Sequence, residues 1–188
     1  MRIAFTGTAA TGKTTLIKEL FNCSEFDQFK LAFLTTDARS ILSSLGFKQM
    51  DLMTKEQTIF FQKLYFEKKQ KTESNAVDFI VDRSFVDVAS YWLVRDCNND
   101  ISLAKEIIDD ACKFSKKYDL HFYFPHGIIP FEDDGYRSKN EFQRKQIDEQ
   151  IKLFLEEWGI KYVQLDAFDL NERVKIVINE LNQLVKST

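Results

Sequence analysis

The sequence is short of the residues that build special-purpose scaffolds. Its three cysteines, Cys23, Cys97 and Cys112, are an odd number at wide spacing with no CxxC pair. That argues against a disulfide framework and for reduced thiols. Two isolated histidines, His121 and His126, form no ligand cluster for a metal. No run of about 18 apolar residues is present, so nothing reads as a membrane span. The apolar opening over Ile3–Phe5 is too short for a secretory signal, and Gly7 and polar residues follow at once. Basic residues do not outnumber acidic ones. At a net charge of −3 no overall basic field draws the chain to DNA or a membrane, although a local patch stays open. Repeats, low-complexity tracts and linkers are also missing. The expectation is a cytoplasmic enzyme with a small-molecule substrate, folded as a single domain over residues 1–188.

Hydrophobic residues make up 44% of the chain, and 18 of its 188 residues are Phe. A chain of this size buries roughly 70% of its unfolded surface, so an aromatic core needs no covalent staple. Five short apolar runs read as strands: residues 2–6, 30–35, 76–81, 120–124 and 161–165. Between them lie helical patterns over 16–21, 38–45 and 54–73, one carrying Val88, Ala89, Tyr91 and Trp92, one over Ala104–Cys112, one ending near Trp158, and one over 170–185. Ser84 is placed to cap the Val88 helix. Residues 126–138 hold Gly127, Pro130 and Gly135 and read as a loop. Strands alternating with helices predict an α/β, three-layer fold with a parallel sheet. Ligands of such sheets bind beyond the carboxyl ends of the strands.

Gly7-Thr8-Ala9-Ala10-Thr11-Gly12-Lys13-Thr14 matches GxxxxGK[ST] at every fixed position, between a predicted strand and a predicted helix. The glycines let successive amides ring a phosphate group, and the helix start adds its positive end. Residues 7–15, with Thr15 as the last, are therefore the expected ATP-binding loop. Lys13 is expected at the β- and γ-phosphates and the Thr14 hydroxyl on Mg²⁺.

A second group follows the third strand. Asp82 stands where an acid can hold Mg²⁺, and no Glu sits beside it, as motor ATPases require to polarise water. Arg83 can hold an anionic substrate or the transferring phosphoryl group. The alternative for this pair is that it ends the strand and caps the next helix. The guanine-reading [NT]KxD pattern is missing: Thr54-Lys55-Glu56-Gln57 and Ser138-Lys139-Asn140-Glu141 both fail it. Asp37, after the second strand, is a candidate base or orienting group for an acceptor hydroxyl; it is equally placed to cap the helix it precedes. Arg137 and Arg144 are candidates to close over the phosphates. For Arg144 a solvated helix start is the competing role.

The loop at Gly7–Thr14, Asp37-Ala38-Arg39, Asp82-Arg83-Ser84 with its following helix, and Glu132–Arg137 together resemble the NadR-like P-loop kinases. That group includes bacterial ribosylnicotinamide kinase domains and phage proteins known only as ATPases. The Asp-Arg-Ser triplet and the basic segment after the fourth strand are also similar to deoxynucleoside and thymidylate kinases. The resemblance implies a five-stranded parallel sheet in the order 2-3-1-4-5 and a lid over about 126–145. It also implies an acid after strand two, here Asp37, that meets the acceptor.

Three functions compete. The first is an ATP- and Mg²⁺-dependent phosphotransferase acting on a nucleoside or nucleotide. Lys13, Asp37, Arg83, Arg137 and Arg144 would be its catalytic set, with Thr14 and Asp82 on the metal. The second phosphorylates a hydroxymethylated pyrimidine, 5-hydroxymethyluracil, in DNA, contacted by Lys68, Lys69, Lys71, Lys113, Lys116 and Lys117. The third is a nucleotide-dependent binding module. Phe60, Phe61, Tyr65, Tyr91 and Trp92 can stack on a base or fill the core. A homodimer is left open.

Overall fold

The computed structural model describes residues 1–95, 97, 100–132 and 139–187. Five strands, β1 (Arg2–Thr6), β2 (Ala32–Thr35), β3 (Phe79–Asp82), β4 (Leu120–Tyr123) and β5 (Tyr162–Gln164), form one parallel sheet. Its order is β2-β3-β1-β4-β5, as the resemblance implied. Among the described residues seven α-helices connect and cover these strands: α1 (Lys13–Phe21), α2 (Ala38–Ser44), α3 (Lys55–Ser74), α4 (Phe85–Val94), α5 (Ile101–Ser115), α6 (Glu141–Glu157) and α7 (Leu170–Ser187).

The sheet's two faces are sorted by the period of two along each strand. Ile3, Phe5, Ile80, Leu120 and Phe122 pack with Leu16, Ile17 and Leu20 of α1 and Val177, Ile178 and Leu181 of α7. Ala4, Phe79, Val81 and Tyr123 point the other way, into a core shared with α2 to α6. Sequence boundaries differ where polarity misled. The run at 76–81 becomes a strand only from Phe79, because Val77 and Asp78 are exposed, and it extends to Asp82. The first helix begins at Lys13, three residues before its first apolar position, Leu16.

Register decides where function can sit. Phe5 pairs with Asp82, Thr35 with Asp82, Thr6 with Tyr123, and Tyr123 with Gln164. All five strands therefore end along one edge. The GxxxxGKT loop, Asp37 and the Asp82-Arg83 turn all leave the sheet there. The lid expected over about 126–145 falls partly on residues outside those described, and Arg137 lies among them.

The basic patch proposed for DNA is corrected at one position. Lys69 is fully buried on α3, where it donates to Glu73 Oε1 and to the Arg83 carbonyl, so it offers no phosphate contact. Sequence spacing in the Lys68-Lys69-Lys71 cluster could not separate one inward lysine from two outward ones. Among the aromatics, Trp92 is core and Phe60 is 57% exposed.

His121 is not a ligand but a buried neutral link. Its Nε2–H donates to the Ser115 carbonyl at 3.1 Å, and its Nδ1 accepts from the Thr6 hydroxyl at 3.0 Å. Burial lowers the imidazole to about 4, against an ordinary value of about 6.5. Between those values the unfolded chain binds a proton the native chain does not, so stability falls as pH drops through that window. Between pH 7 and pH 5 the His121 contribution should fall by about 2 kcal/mol. Urea unfolding at the two pH values should show that loss in the natural chain and a smaller one in His121→Gln.

Candidate active site

The phosphate-type loop follows from its backbone. Gly12 lies in the left-handed region at φ 83° and starts α1 with no side-chain cap on the helix amides. Those first-turn N–H groups are thus left to an external acceptor. Gly7 is required by space: a Cβ there would lie 2.6 Å from the Phe124 carbonyl oxygen. Residues Ala9 to Thr15 line one cleft of about 590 Å³, while Gly7 and Thr8 are buried. Lys13 Nζ donates to the Gly7 carbonyl at 2.7 Å, the Thr8 carbonyl at 2.6 Å and Thr11 Oγ1 at 3.0 Å. Burial and the neighbouring Arg83 guanidinium lower its pKa.

The Thr14 hydroxyl donates directly to Asp82 Oδ2. A hydroxyl and a carboxylate in contact at a phosphate loop form the hard oxygen pair that Mg²⁺ takes beside nucleotide phosphates. Among the described residues no cluster of three His, Cys, Asp or Glu offers another metal site. The donor set present thus fits Mg²⁺ beside nucleotide phosphates, and Thr14 and Asp82 are the residues that would hold it.

Arg83 stands in the left-handed region at φ 74°, a conformation that costs a non-glycine residue about 1–2 kcal/mol. Its N–H donates to the Phe5 carbonyl at 2.9 Å, and its guanidinium lies 4.9 Å from the Tyr91 ring centroid. Arg95 lies 4.7 Å from the same ring. Burial pushes the Tyr91 phenol up, but the Arg83 and Arg95 guanidiniums outweigh it and bring it to about 8. Both arginines line the cleft.

Asp37 caps α2: Oδ1 accepts from the Arg39 and Ser40 amides, and Oδ2 from the Ser40 hydroxyl at 2.6 Å. The Ser40 hydroxyl above all holds its carboxyl below the usual range. It also lines the cleft, so capping and exposure to the cleft coexist. Arg144 is no solvated helix start. It is 6% exposed, lies 4.0 Å over the Phe131 ring, and lines the same cleft.

Two residues that sequence reasoning passed over hold this site together. Asp87, 1% exposed, accepts from the Gly7 amide at 2.9 Å, the Ser84 amide at 2.7 Å and the Ser84 hydroxyl at 2.9 Å. Arg83 Nη1 completes an ion pair with it at 3.9 Å. The Ser84-x-x-Asp87 spacing is a capping-box pattern and was readable as such; its bond to Gly7 was not. Arg173 of α7 donates from Nη1 to the Thr11 carbonyl at 3.0 Å and from Nε to the Ala167 carbonyl. Nothing near it in sequence points to the loop.

A family model described as an AAA domain matches residues 2–173. The chain belongs to that AAA domain family. No curated protein matches it in sequence. Among solved structures, this AAA domain is similar to deoxyadenosine kinase from M. mycoides, at 15% identity and a TM-score of 0.67, covering 98% of this chain and 100% of that one. A NadR protein in complex with NR aligns at 19% identity and a TM-score of 0.66 over 97% of this chain, which spans 50% of the NadR chain. Thymidylate kinase from Ehrlichia chaffeensis aligns at 15% identity and a TM-score of 0.62, covering 97% and 98% of the two chains. The fold is thus that of the NadR-like and deoxynucleoside-kinase-like P-loop kinases. Among the described residues no helix is long and apolar enough to cross a membrane.

Replacing one Asp87 oxygen by an amide NH₂ turns a donor toward the Gly7 or Ser84 donors that the oxygen had accepted from. Asp87→Asn should therefore lower the unfolding free energy by about 3 kcal/mol, measured by urea denaturation, whereas Ser84→Ala should cost about 1 kcal/mol.

Proposed function

We propose that the protein is an ATP-dependent kinase transferring the γ-phosphoryl group to a hydroxyl of a nucleoside or nucleotide. The observation that carries this lies on α3. Gln62 Nε2 and the Tyr65 hydroxyl are buried, have no hydrogen-bond partner among the described residues, and belong to side chains that line the cleft. An orphaned buried polar group costs about 1–3 kcal/mol, so two of them beside Phe61 and Tyr91 suit a planar ligand with a polar edge. The deoxyadenosine kinase structure with dCMP and dCDP and the NadR structure with NR support an acceptor of that class.

Bound Mg·ATP supplies the phosphoryl group and neutralises part of its charge. The chain's own residues do the rest. Loop amides and the α1 N-terminus would hold the phosphates. Lys13 Nζ, whose three donors are taken by loop oxygens, would exchange one of those bonds for a phosphate oxygen. Arg83 and Arg144, which line the cleft, bind charge on the transferring group. Asp37 is too firmly hydrogen-bonded as an anion to be a strong base. A loose phosphoryl transfer asks little of a base, so Asp37 acts by accepting the acceptor hydroxyl's hydrogen bond and aiming its oxygen.

Incubation with labelled ATP, Mg²⁺ and a panel of nucleosides and nucleotides should label at least one; no transfer to any would overturn the proposal. Lys13→Ala should cut turnover by about 10²–10³ without unfolding the chain. Asp37→Asn keeps the α2 cap, since Asn caps as well as Asp. It should lower kcat by about 10-fold or more while ATP binding holds. Gln62→Leu should raise the acceptor KM about 10-fold and leave the ATP KM unchanged.

A further inference from the structure

Lys69 is a fully buried cation that no step of the proposed chemistry uses. An ammonium removed from water costs several kcal/mol unless its donors are satisfied, and the bonds it makes show where that cost is directed. One goes to Glu73 Oε1 on the next turn of α3, and Glu73 Oε2 in turn accepts from the Tyr118 hydroxyl at 2.7 Å. Lys69 Nζ also lies 5.0 Å from the Phe85 ring centroid. A further bond, at 2.6 Å, goes to the main-chain carbonyl of Arg83.

Arg83 is one of the non-glycine residues held in the left-handed region, at φ 74°. Its amide is tied to Phe5 on one side and its carbonyl to Lys69 on the other. Without the Lys69 bond the 83–84 peptide is held only at its Ser84 amide, by Asp87. Its carbonyl can then swing and let Arg83 relax toward the ordinary right-handed region, which would take the guanidinium away from the Tyr91 ring and the cleft. We infer that Lys69, oriented by Glu73 and Tyr118, is the positioning residue that locks Arg83 into its left-handed, cleft-facing conformation. The inference rests on the kinase reading only in what Arg83 then does.

The test removes the charge pair without leaving a lone ion: Lys69→Met combined with Glu73→Gln, which still offers Tyr118 a carbonyl to donate to. A crystal structure of this double variant should show Arg83 out of the left-handed region and away from Tyr91. An unchanged Arg83 conformation would overturn the inference whatever the activity. With the nucleoside panel as acceptors, kcat should fall at least 10-fold, and Mg·AMP-PNP binding should change less than 2-fold. In an Arg83→Ala background the same pair of changes should cost nothing further. An equal loss in both backgrounds marks a merely structural role and overturns it too. If the double variant does not fold, Tyr118→Phe, which loosens Glu73 alone, should lower kcat about 3-fold with the same dependence on Arg83; no change, or a loss unaffected by Arg83→Ala, refutes the inference. Failure of the natural protein to transfer phosphate to any acceptor would remove the kinase reading and leave the Arg83 conformation as the deciding result.

Discussion

One buried carboxylate connects the two loops on which the site depends. Asp87 takes hydrogen bonds from Gly7 at the start of the phosphate loop and from Ser84 after the Asp-Arg-Ser turn, with Arg83 as its counter-ion. A charge this deeply desolvated is tolerated only when nearly all its lone pairs are met, so the three partners are fixed relative to one another. Parallel pairing brings them within reach: Phe5 opposes Asp82, and the Phe5 carbonyl holds the Arg83 amide. The Thr14–Asp82 hydrogen bond then falls between the loops as a consequence of the same register.

Charge inside the cleft runs against charge on the whole. The chain carries a net −3, yet Lys13, Lys18, Arg39, Arg83, Arg95 and Arg144 line the cleft against Asp37, Asp82 and Asp87. The local field is visible in its effects, with Lys13 lowered by burial and by Arg83 and the Tyr91 phenol brought down to about 8. Such a pocket recruits a polyanion without making the exterior sticky toward nucleic acid.

The parts of this site legible in sequence were those where a local pattern implies its own geometry. GxxxxGKT fixes a loop because glycine conformations, a strand and a helix start must coincide within a dozen residues. The strands were legible as apolar runs, and their order came from family resemblance, because pairing is a long-range fact no single run encodes. Asp37 shows the limit from the other side: sequence offered cap or acid, and the structure gives a cap that still faces the cleft. Lys69 and Arg173 were invisible for a different reason. Each is a charged residue on a helix, and its neighbours look like a solvated face. Only the packing of α3 against α4 and β2, or of α7 beside α1, turns that one side chain inward.

Those inward charges share a pattern. Lys69 from α3, Asp87 from α4 and Arg173 from α7 each place a polar atom on main-chain groups of the strand-end loops: the Arg83 carbonyl, the Gly7 amide and the Thr11 carbonyl. Loops beyond a sheet edge lose the ladder that satisfies backbone groups inside it, and here several residues stand at positive φ, Ala10 and Arg83 among them. Apolar packing can bury such a loop but cannot fix a carbonyl's direction, whereas a hydrogen bond from a buried charge can. The cost is a set of desolvated ions, and the return is a phosphate site whose donors are aimed before any ligand arrives. That preorganisation is where electrostatic catalysis takes its energy. The charges that shape this site therefore act on its backbone, one layer behind the side chains that face the cleft.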